Sequence, residues 1–511
     1  MKILKLHIKG YKNLKDTLVD FRTINEKEYA NLHFLVGING SGKSSFLEAA
    51  GLIFTRIMQD ESPGFYFDLE YQIENTLVKV RHTENSESRQ SLSVELYAND
   101  RSNSYSAIPE QYKPKRIISY TSGANSNMFD IMMTSTKDSL ASDLYDEIFS
   151  PDKKTPDNID DVLTHYDRLI NHNRILSLSS ENSSVLLPVL FAMLPGYSLK
   201  EIQRYSDLRA ELTKIIPGFL PSAFSIVVNE EKLNDIAEEG QEHHKRLKAL
   251  LAGNDKGENC YDWQIRRSIL EENQNNPLNE LVTGFLFQVH PETGTCYHKQ
   301  LNNAYYSDPM LLLYIFQNCY ESGAIREMNF SFNTADCPHL LSSQALSDGE
   351  LLWLARMGLI LLSQTDSSAN TLFLLDEPDV HFNDDWNVNF VSLVYKLCAN
   401  YKHALIVATH STLILTDAHC GQIHLFSKTS ETGIVIKQIS TPAFGAQREE
   451  IAKHLFDAAS IGTYASEIIE QLLEKAQSSE ELREWILKSG PGYQRFRLFE
   501  RYYELTELEH N

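Results

Sequence analysis

The hydrophobic and polar positions change their period along the chain, and these changes mark the predicted elements. Residues Lys2–Ile8 alternate as a half-buried strand does. The continuous apolar run Leu32–Val36 predicts a buried strand, and the amphipathic run Ser45–Met58 directly after it predicts a helix. Polar linkers then separate three alternating stretches, which predict an antiparallel meander: Phe65–Ile73, Thr76–His82 and Ser91–Tyr97.

A second group of apolar runs lies late in the chain. Leu351–Leu362 is apolar almost all round, which predicts a buried helix. Thr371–Leu375 and Ala404–Ala408 are short apolar runs followed at once by polar residues. Because a buried parallel strand accepts charge only at its end, both runs predict strands whose carboxyl ends meet a ligand.

The middle of the chain and its last seventy residues follow a helical pattern. Prolines divide the middle into short amphipathic pieces, and no heptad pattern lasts long enough for a coiled coil. The pieces are Asp160–His172, Leu199–Ile216 and Glu230–Leu251. Near the end, Glu449–Leu487 predicts two helices, and a final helix follows the break at Gly490-Pro491-Gly492.

These patterns predict an α/β fold, with a mixed sheet, an antiparallel β-subdomain, a large mainly helical insertion and a helical C-terminal tail. The predicted parts are an N-terminal lobe (1–126), the insertion (127–339), a C-terminal lobe (340–440) and the tail (441–511).

Composition narrows the class of protein. Hydrophobic residues make up 42% of the 511 positions, as in ordinary soluble proteins, and no run approaches the ~18 apolar residues of a membrane span. The six cysteines are scattered without a C-x-x-C pair, which predicts reduced thiols and a cytoplasmic location. A net charge of −22 argues against a basic coat for nucleic acid, although it allows a local patch.

The turn between the first buried strand and its helix predicts a nucleoside triphosphate site. Residues Gly37–Ser44 read G-x-x-x-x-G-K-S, whose glycines allow backbone amides to surround phosphate at the N-terminus of a helix. In this pattern Lys43 reaches the β- and γ-phosphates of ATP, and the Ser44 hydroxyl binds Mg²⁺. The residues predicted to bind nucleotide are Gly37, Asn39, Gly40, Ser41, Gly42, Lys43, Ser44 and Ser45.

Polar residues that follow the later strands supply the remaining chemistry. Asp376 is predicted to hold Mg²⁺, and Glu377 beside it to orient the attacking water. His410 follows the next strand and is predicted at the same sheet edge. A polar loop after a strand at Arg116–Tyr120 makes Asn125, or alternatively Ser122, a candidate γ-phosphate sensor.

Four motifs in order, GINGSGKS, LSDGE, TLFLLDEPD and ATHS, resemble the ABC-type ATPase domain of the RecF, SMC and OLD group. The resemblance covers about residues 1–126 and 340–430. It implies a nucleotide held between two chains in a head-to-tail dimer, with Ser347, Gly349 and Glu350 acting in trans and His410 contacting the γ-phosphate. The sequence departs from the pattern in having Asp348 at a usual glycine, and in lacking a glutamine where Asn125 stands.

Within that group the chain is similar to the ATPase subunit of Septu-type antiphage systems, which also occurs with some retrons. This resemblance implies a separate HNH-type nuclease subunit, with contact to nucleic acid or retron RNA/DNA through the complex. The carboxyl-terminal hundred residues hold no D-x-D pair or convincing histidine cluster of a nuclease. Two other functions remain open: a RecF-like DNA-repair ATPase, and a self-contained effector of the OLD or anticodon-nuclease type.

Overall fold

The computed structural model describes most of the two lobes, parts of the region between them and most of the tail. The described residues are 1–22, 31–59, 61–82, 92–98, 101–105, 107–122, 128, 132, 175–179, 185–193, 220–252, 260–269, 278–288, 309–334, 339, 341–363, 370–398, 403–429, 433–439, 442–456, 462–476 and 478–510.

The strands within these ranges, in chain order, are β1 (Lys2–Tyr11), β2 (Leu14–Asp20), β3 (Leu32–Val36), β4 (Tyr66–Ile73), β5 (Thr76–His82), β6 (Leu92–Ala98), β7 (Arg101–Tyr105), β8 (Arg116–Thr121), β9 (Ile175–Ser179), β10 (Leu220–Val228), β11 (Cys260–Ile269), β12 (Leu278–Gln288), β13 (Ile325–Asn333), β14 (Leu341–Ser342), β15 (Thr371–Asp376), β16 (Ala404–Ala408), β17 (Ile423–Thr429) and β18 (Gly433–Gln438). The α-helices are α1 (Lys43–Met58), α2 (Leu186–Met193), α3 (Glu230–Glu238), α4 (Glu242–Ala252), α5 (Pro309–Glu321), α6 (Asp348–Leu362), α7 (Asp384–Cys398), α8 (Thr412–Leu415), α9 (Arg448–Phe456), α10 (Thr463–Lys475), α11 (Ser479–Lys488) and α12 (Tyr493–His510).

A seven-stranded sheet joins the two lobes, in the order β18-β17-β3-β16-β15-β8-β9. All neighbouring pairs are parallel except β17 and β18, which form an antiparallel hairpin. Every residue of β3 and β16 is buried, as expected for strands covered on both faces. The predicted strands at Leu32–Val36 and Ala404–Ala408 are confirmed, and the order places their carboxyl ends side by side.

An antiparallel sheet of six strands forms the β-subdomain, in the order β2-β1-β4-β5-β6-β7. The three strands β4, β5 and β6 pair in succession, so the predicted meander is confirmed. The alternation in β1 buries Leu6 and Ile8, which belong to a core shared with Phe46 of α1. The α/β fold class predicted from the sequence is therefore present, with both parallel and antiparallel sheets.

The region between the lobes contains a feature that the sequence pattern did not predict. Strands β10 to β14 form a five-stranded antiparallel sheet in the order β11-β12-β10-β13-β14. The prediction of a mainly helical region missed this sheet, because the apolar runs in β10 and β12 lie next to stronger helical patterns. The predicted helix Glu230–Leu251 is present as α3 and α4 with a break between them, whereas 160–172 and 199–216 lie outside the described residues.

The chain divides into two compact units, Met1–Phe444 and Gly445–Asn511. In the second unit, α10, α11 and α12 pack around a small apolar cluster that includes Leu482 and Leu498. This confirms the helical tail and its break after Lys488, but the stretch predicted as two helices forms three, α9, α10 and α11. Among the described residues, no helix combines the length and the apolar character needed to cross a membrane.

Candidate nucleotide-binding site

The turn from β3 into α1 has the backbone that a phosphate-binding loop requires. Gly40 and Gly42 take positive φ angles of 75° and 98°, which side chains of L-residues rarely allow. Helix α1 then begins at Lys43, so its first amides and the positive end of its dipole face the same turn. The local geometry therefore agrees with the function that the motif predicts.

Two of the loop glycines are also required by a neighbouring hairpin. A Cβ atom placed on Gly37 would lie 2.4 Å from the carbonyl oxygen of Phe426 in β17. One placed on Gly42 would lie 2.0 Å from Cδ1 of Ile434 in β18. By contrast, nothing lies within 4 Å of a Cβ on Gly40. The hairpin thus supports one side of the loop, and the side at Gly40 is open to a ligand.

Lys43 is buried at the base of the loop and is already hydrogen-bonded. Its Nζ donates to the carbonyl oxygen of Gly37 at 3.0 Å and lies 2.7 Å from Nε2 of His410. Burial lowers the pKa of Lys43, and the nearby carboxylates of Glu377 and Asp376 oppose this effect. The ammonium group is therefore held at the point where strands β3 and β16 end.

Ser44 and Asp376 form the pair expected of a magnesium site. The Ser44 hydroxyl donates to Oδ1 of Asp376 at 3.1 Å. Burial raises the pKa of Asp376 to about 6, and the Glu377 carboxylate beside it adds to this rise. A hydroxyl and a half-buried carboxylate supply the oxygen ligands that Mg²⁺ prefers, so these residues fit the ion.

Glu377 has an unusual backbone that aims it at the same place. Its φ angle is 47°, which is uncommon for a residue other than glycine, and its amide donates to the carbonyl of Ala408 at 2.9 Å. Its Oε1 lies 3.5 Å from Nε2 of His410. Burial and the charge of Lys43 lower the pKa of His410, so that ring is neutral at pH 7 and accepts from Lys43.

Ser347, Gly349 and Glu350 of the LSDGE motif, called the signature below, lie at the N-terminus of α6. Ser347 and Glu350 cap this helix reciprocally, with the Ser347 amide donating to Oε2 of Glu350 at 2.7 Å. Gly349 lies against the loop that follows Glu377: a Cβ there would be 2.7 Å from the His381 carbonyl oxygen. Within the described part of this chain, no hydrogen bond joins Ser347 or Glu350 to the phosphate-binding loop.

The structure places the other predicted residues as follows. Asn39 is exposed, Ser45 is half-buried, and Ser41 is buried with its hydroxyl unpaired among the described residues. Asn125 lies outside the described residues, although Ser122 on the same stretch donates its amide to the Asp376 carbonyl at 3.3 Å.

Two charged residues beside the site, one buried and one half-buried, were missed by the sequence analysis. Arg356 in α6 contacts the loop after Glu377, and Asp379 lies within that loop. A single arginine in an apolar helix does not indicate from the sequence that it contacts this loop. The DEPD run could have drawn attention to Asp379 as a third acid.

Comparison with known proteins gives one family and a set of distant structural likenesses. The family model described as "AAA domain, putative AbiEii toxin, Type IV TA system" matches residues 32–416. No curated protein matches the chain.

Solved structures similar to the chain include three SMC head domains. One, from Pyrococcus furiosus, has an extended coiled coil and is bound to the C-terminal domain of ScpA (13% identity, 86% of this chain and 96% of that chain, TM-score 0.28). Another SMC head is bound to the C-terminal winged-helix domain of ScpA (14%, 86% and 98%, TM-score 0.29). The third is from Thermotoga maritima (13%, 86% and 100%, TM-score 0.31).

Proposed function

The chain belongs to the family described as "AAA domain, putative AbiEii toxin, Type IV TA system", and from this premise we propose that it binds and hydrolyses ATP with Mg²⁺. One observation carries the proposal. Lys43, Ser44, Asp376, Glu377 and His410 contact one another at the carboxyl ends of β3, β15 and β16. A crevice at these strand ends is where open α/β sheets bind nucleotides.

Each of these side chains has a distinct task in the proposed reaction. Lys43 leaves its contacts with Gly37 and His410 to neutralise the β- and γ-phosphates. Ser44 and Asp376 hold Mg²⁺, which when bound neutralises charge on the phosphate oxygens. Glu377 accepts a proton from the attacking water and orients it toward the γ-phosphorus. Once Lys43 has moved, Nε2 of His410 takes a proton from solvent and donates it in a hydrogen bond to the γ-phosphate.

We further propose that two copies form a head-to-tail dimer around the nucleotide. Ser347, Gly349 and Glu350 lie at a helix N-terminus, which favours an anion, yet they do not bond to the phosphate-binding loop of their own chain. A second copy would bring them to that loop. Asn125 is proposed to sense the γ-phosphate from the stretch after β8.

The proposed role of this ATPase is to regulate or sense within an antiphage defence complex that contains a separate nuclease. The family description, with its toxin and toxin–antitoxin terms, supports a defence role. Exposed aromatic residues on α12, among them Tyr493, Phe496 and Tyr503, support a protein partner because such side chains are enriched at interfaces.

The proposal is tested by substituting Glu377, the residue proposed to orient and deprotonate the attacking water. Glu377→Gln should bind ATP with the affinity of the wild type but hydrolyse it at least about 100-fold more slowly, because only the proton acceptor is lost. Asp385→Asn, at an exposed acid in the first turn of α7, is the matched control and should keep the full rate. Hydrolysis by Glu377→Gln at the wild-type rate would refute the assignment.

The regulatory role is tested on the same protein without a partner. The purified chain should hydrolyse ATP and leave plasmid DNA and bulk RNA intact with Mg²⁺ or Mn²⁺. Cleavage that is lost on substituting a residue outside the ATP site would favour the self-contained effector instead.

A further inference from the structure

Arg356 is a charged side chain buried in the middle of the apolar helix α6. Only 1% of its surface is exposed, and no fully buried side chain among the described residues is larger. Burying a guanidinium group is costly unless hydrogen bonds and opposite charge compensate it. Its surroundings therefore indicate what it holds in place.

The guanidinium group is bonded to the loop that follows Glu377. Its Nη1 donates to the carbonyl oxygens of Pro378 and of Val380, the latter at 3.0 Å. Its planar face is enclosed by two rings, with the Tyr120 centroid at 4.8 Å and the Phe382 centroid at 4.7 Å. Nη1 makes both hydrogen bonds, whereas Nε and Nη2 are buried without a hydrogen-bond partner among the described residues. The two rings and the two carbonyl groups together restrict the guanidinium plane in a way that a flexible ammonium could not reproduce fully.

The loop that Arg356 contacts carries backbone strain. Glu377 and His381 have φ angles of 47° and 70°, in the left-handed region that residues other than glycine rarely adopt. Within the loop, the Val380 amide donates to the Glu377 carbonyl at 3.2 Å, and the Phe382 amide donates to the Asp379 carbonyl at 3.0 Å. Such a conformation persists only where the surroundings stabilise it.

The positive charge of Arg356 also interacts with an acidic residue of the loop, Asp379. Asp379 lies half-buried there, and its removal from solvent raises its pKa, while Thr409 and Arg356 lower that pKa. Arg356 thus supports both the carbonyl groups and the acid of the loop. None of these contacts is with the phosphate-binding loop itself.

We propose that Arg356 is a positioning residue for ATP hydrolysis, which holds the 377–381 loop so that the Glu377 carboxylate faces the γ-phosphate. The inference rests on the hydrolytic function proposed above. The signature residues at the start of α6 also contact this loop, because Gly349 packs against the His381 carbonyl. Helix α6 therefore contacts both ends of the loop, and a displacement of the signature reaches Glu377.

A positioning role predicts a separation of catalysis from binding. Without Arg356 the loop relaxes, and misplacing a catalytic group by about 1 Å costs on the order of 100-fold in rate. Nucleotide affinity should change little, since Lys43, Ser44 and the glycine loop keep their contacts. A purely structural arginine would instead lower stability without this selective loss of kcat.

The test compares Arg356→Met, Arg356→Lys and the matched control Arg116→Met in the full chain. Arg116 is also a buried arginine that contacts α6, where its Nη1 donates to the Ser363 carbonyl at 3.1 Å at the other end of the helix. Arg356→Met should lose about 100-fold in kcat with an unchanged affinity for a fluorescent ATP analogue. Arg356→Lys can donate to the carbonyls and should recover part of the rate, and Arg116→Met should keep the wild-type kcat.

Hydrogen exchange supplies a readout that does not depend on turnover. Peptides that cover residues 377–383 should exchange faster in Arg356→Met, while peptides of β1 and β4 should not. The inference is overturned if Arg356→Met keeps the wild-type kcat, or if it loses affinity and exchanges faster throughout the chain. If the wild-type chain binds ATP without hydrolysing it, the proposed function fails, and this is seen before any variant is compared.

Discussion

At the scale of single residues, the contact between Lys43 and His410 decides how the site accepts a ligand. The two side chains are 367 positions apart in sequence, and Nζ of Lys43 lies 2.7 Å from Nε2 of His410. In the proposed function, a γ-phosphate replaces His410 as the partner of Lys43. His410 then loses its contact with Lys43 at the place where the γ-phosphate binds. Nucleotide binding would therefore also make His410 available for a hydrogen bond to the γ-phosphate.

Substitution of Lys43 should remove nucleotide binding. Lys43→Ala deletes the charge that neutralises the phosphates, and we expect no saturable binding of a fluorescent ATP analogue at concentrations that saturate the wild type. Lys113→Ala is the control, because Lys113 is equally buried and bonds to the Met58 carbonyl at the other end of α1. Retained binding in Lys43→Ala would contradict the site.

The raised pKa of Asp376 predicts a pH dependence of Mg²⁺-supported binding. Mg²⁺ binds the ionised carboxylate, and protons compete for it below a pKa of about 6. Affinity for Mg²⁺ should thus be full above that pH and fall by about tenfold for each pH unit below it. Titrations between pH 5 and 8 measure this.

Asp376→Asn provides the control for the same titration. Its remaining pH dependence belongs to the nucleotide and to other groups, so the difference between the two profiles isolates Asp376. Identical profiles for the wild type and Asp376→Asn would show that this carboxylate does not hold the ion.

At the scale of elements, the β17–β18 hairpin shapes the phosphate-binding loop. Gly40→Ala meets open space, so it should cost only the strain of a positive φ, on the order of 1 kcal/mol. Gly42→Ala has the same kind of strain and also overlaps Cδ1 of Ile434. We therefore expect Gly42→Ala to lower the free energy of unfolding more than Gly40→Ala does.

A double-mutant cycle isolates the overlap. Ile434→Val removes Cδ1, the atom that a Cβ on Gly42 would meet at 2.0 Å. Gly42→Ala/Ile434→Val should be more stable than the sum of the single changes predicts, as measured by urea unfolding. Additive effects would mean that the hairpin moves aside and does not constrain the loop.

The elements also show how far the sequence could predict the structure. The strands β3 and β16 and the helix α1 were predictable because each is a continuous apolar or amphipathic run beside a local motif. The site residues that come from one motif, such as Lys43 and Ser44, were predictable for the same reason.

Features that depend on contacts between distant elements were not predictable. Arg356 is a single charge in an apolar helix, and its partners Tyr120 and Phe382 come from other parts of the chain. The β17–β18 hairpin leaves no room for a side chain at Gly37 or Gly42. This constraint likewise appears only when β17 pairs with β3. The five-stranded sheet was missed in part because its central strand β10 pairs with β12 and β13, which lie far away in sequence.

At the scale of the whole molecule, a composite site predicts association that depends on nucleotide. Glu377→Gln should shift from monomer to dimer on adding ATP, because blocked hydrolysis keeps the bound state populated. Mass photometry with and without ATP measures the shift. The control is Ser347→Arg combined with Glu377→Gln, which should remain monomeric because the bulky cation cannot dock at the phosphate-binding loop of a second copy. A Glu377→Gln chain that stays monomeric with ATP would count against the dimer.

The position of β3 in its sheet has a consequence for synthesis on the ribosome. Both neighbours of β3, β16 and β17, follow it by most of the chain, and His410 emerges 367 residues after Lys43. At about 5–20 residues per second, the phosphate-binding strand waits on the order of 20–70 seconds for its partners. A nascent chain arrested before Ala404 should therefore not retain an ATP analogue, whereas one released after β18 should. An ATPase of this topology stays inactive until most of it has been made.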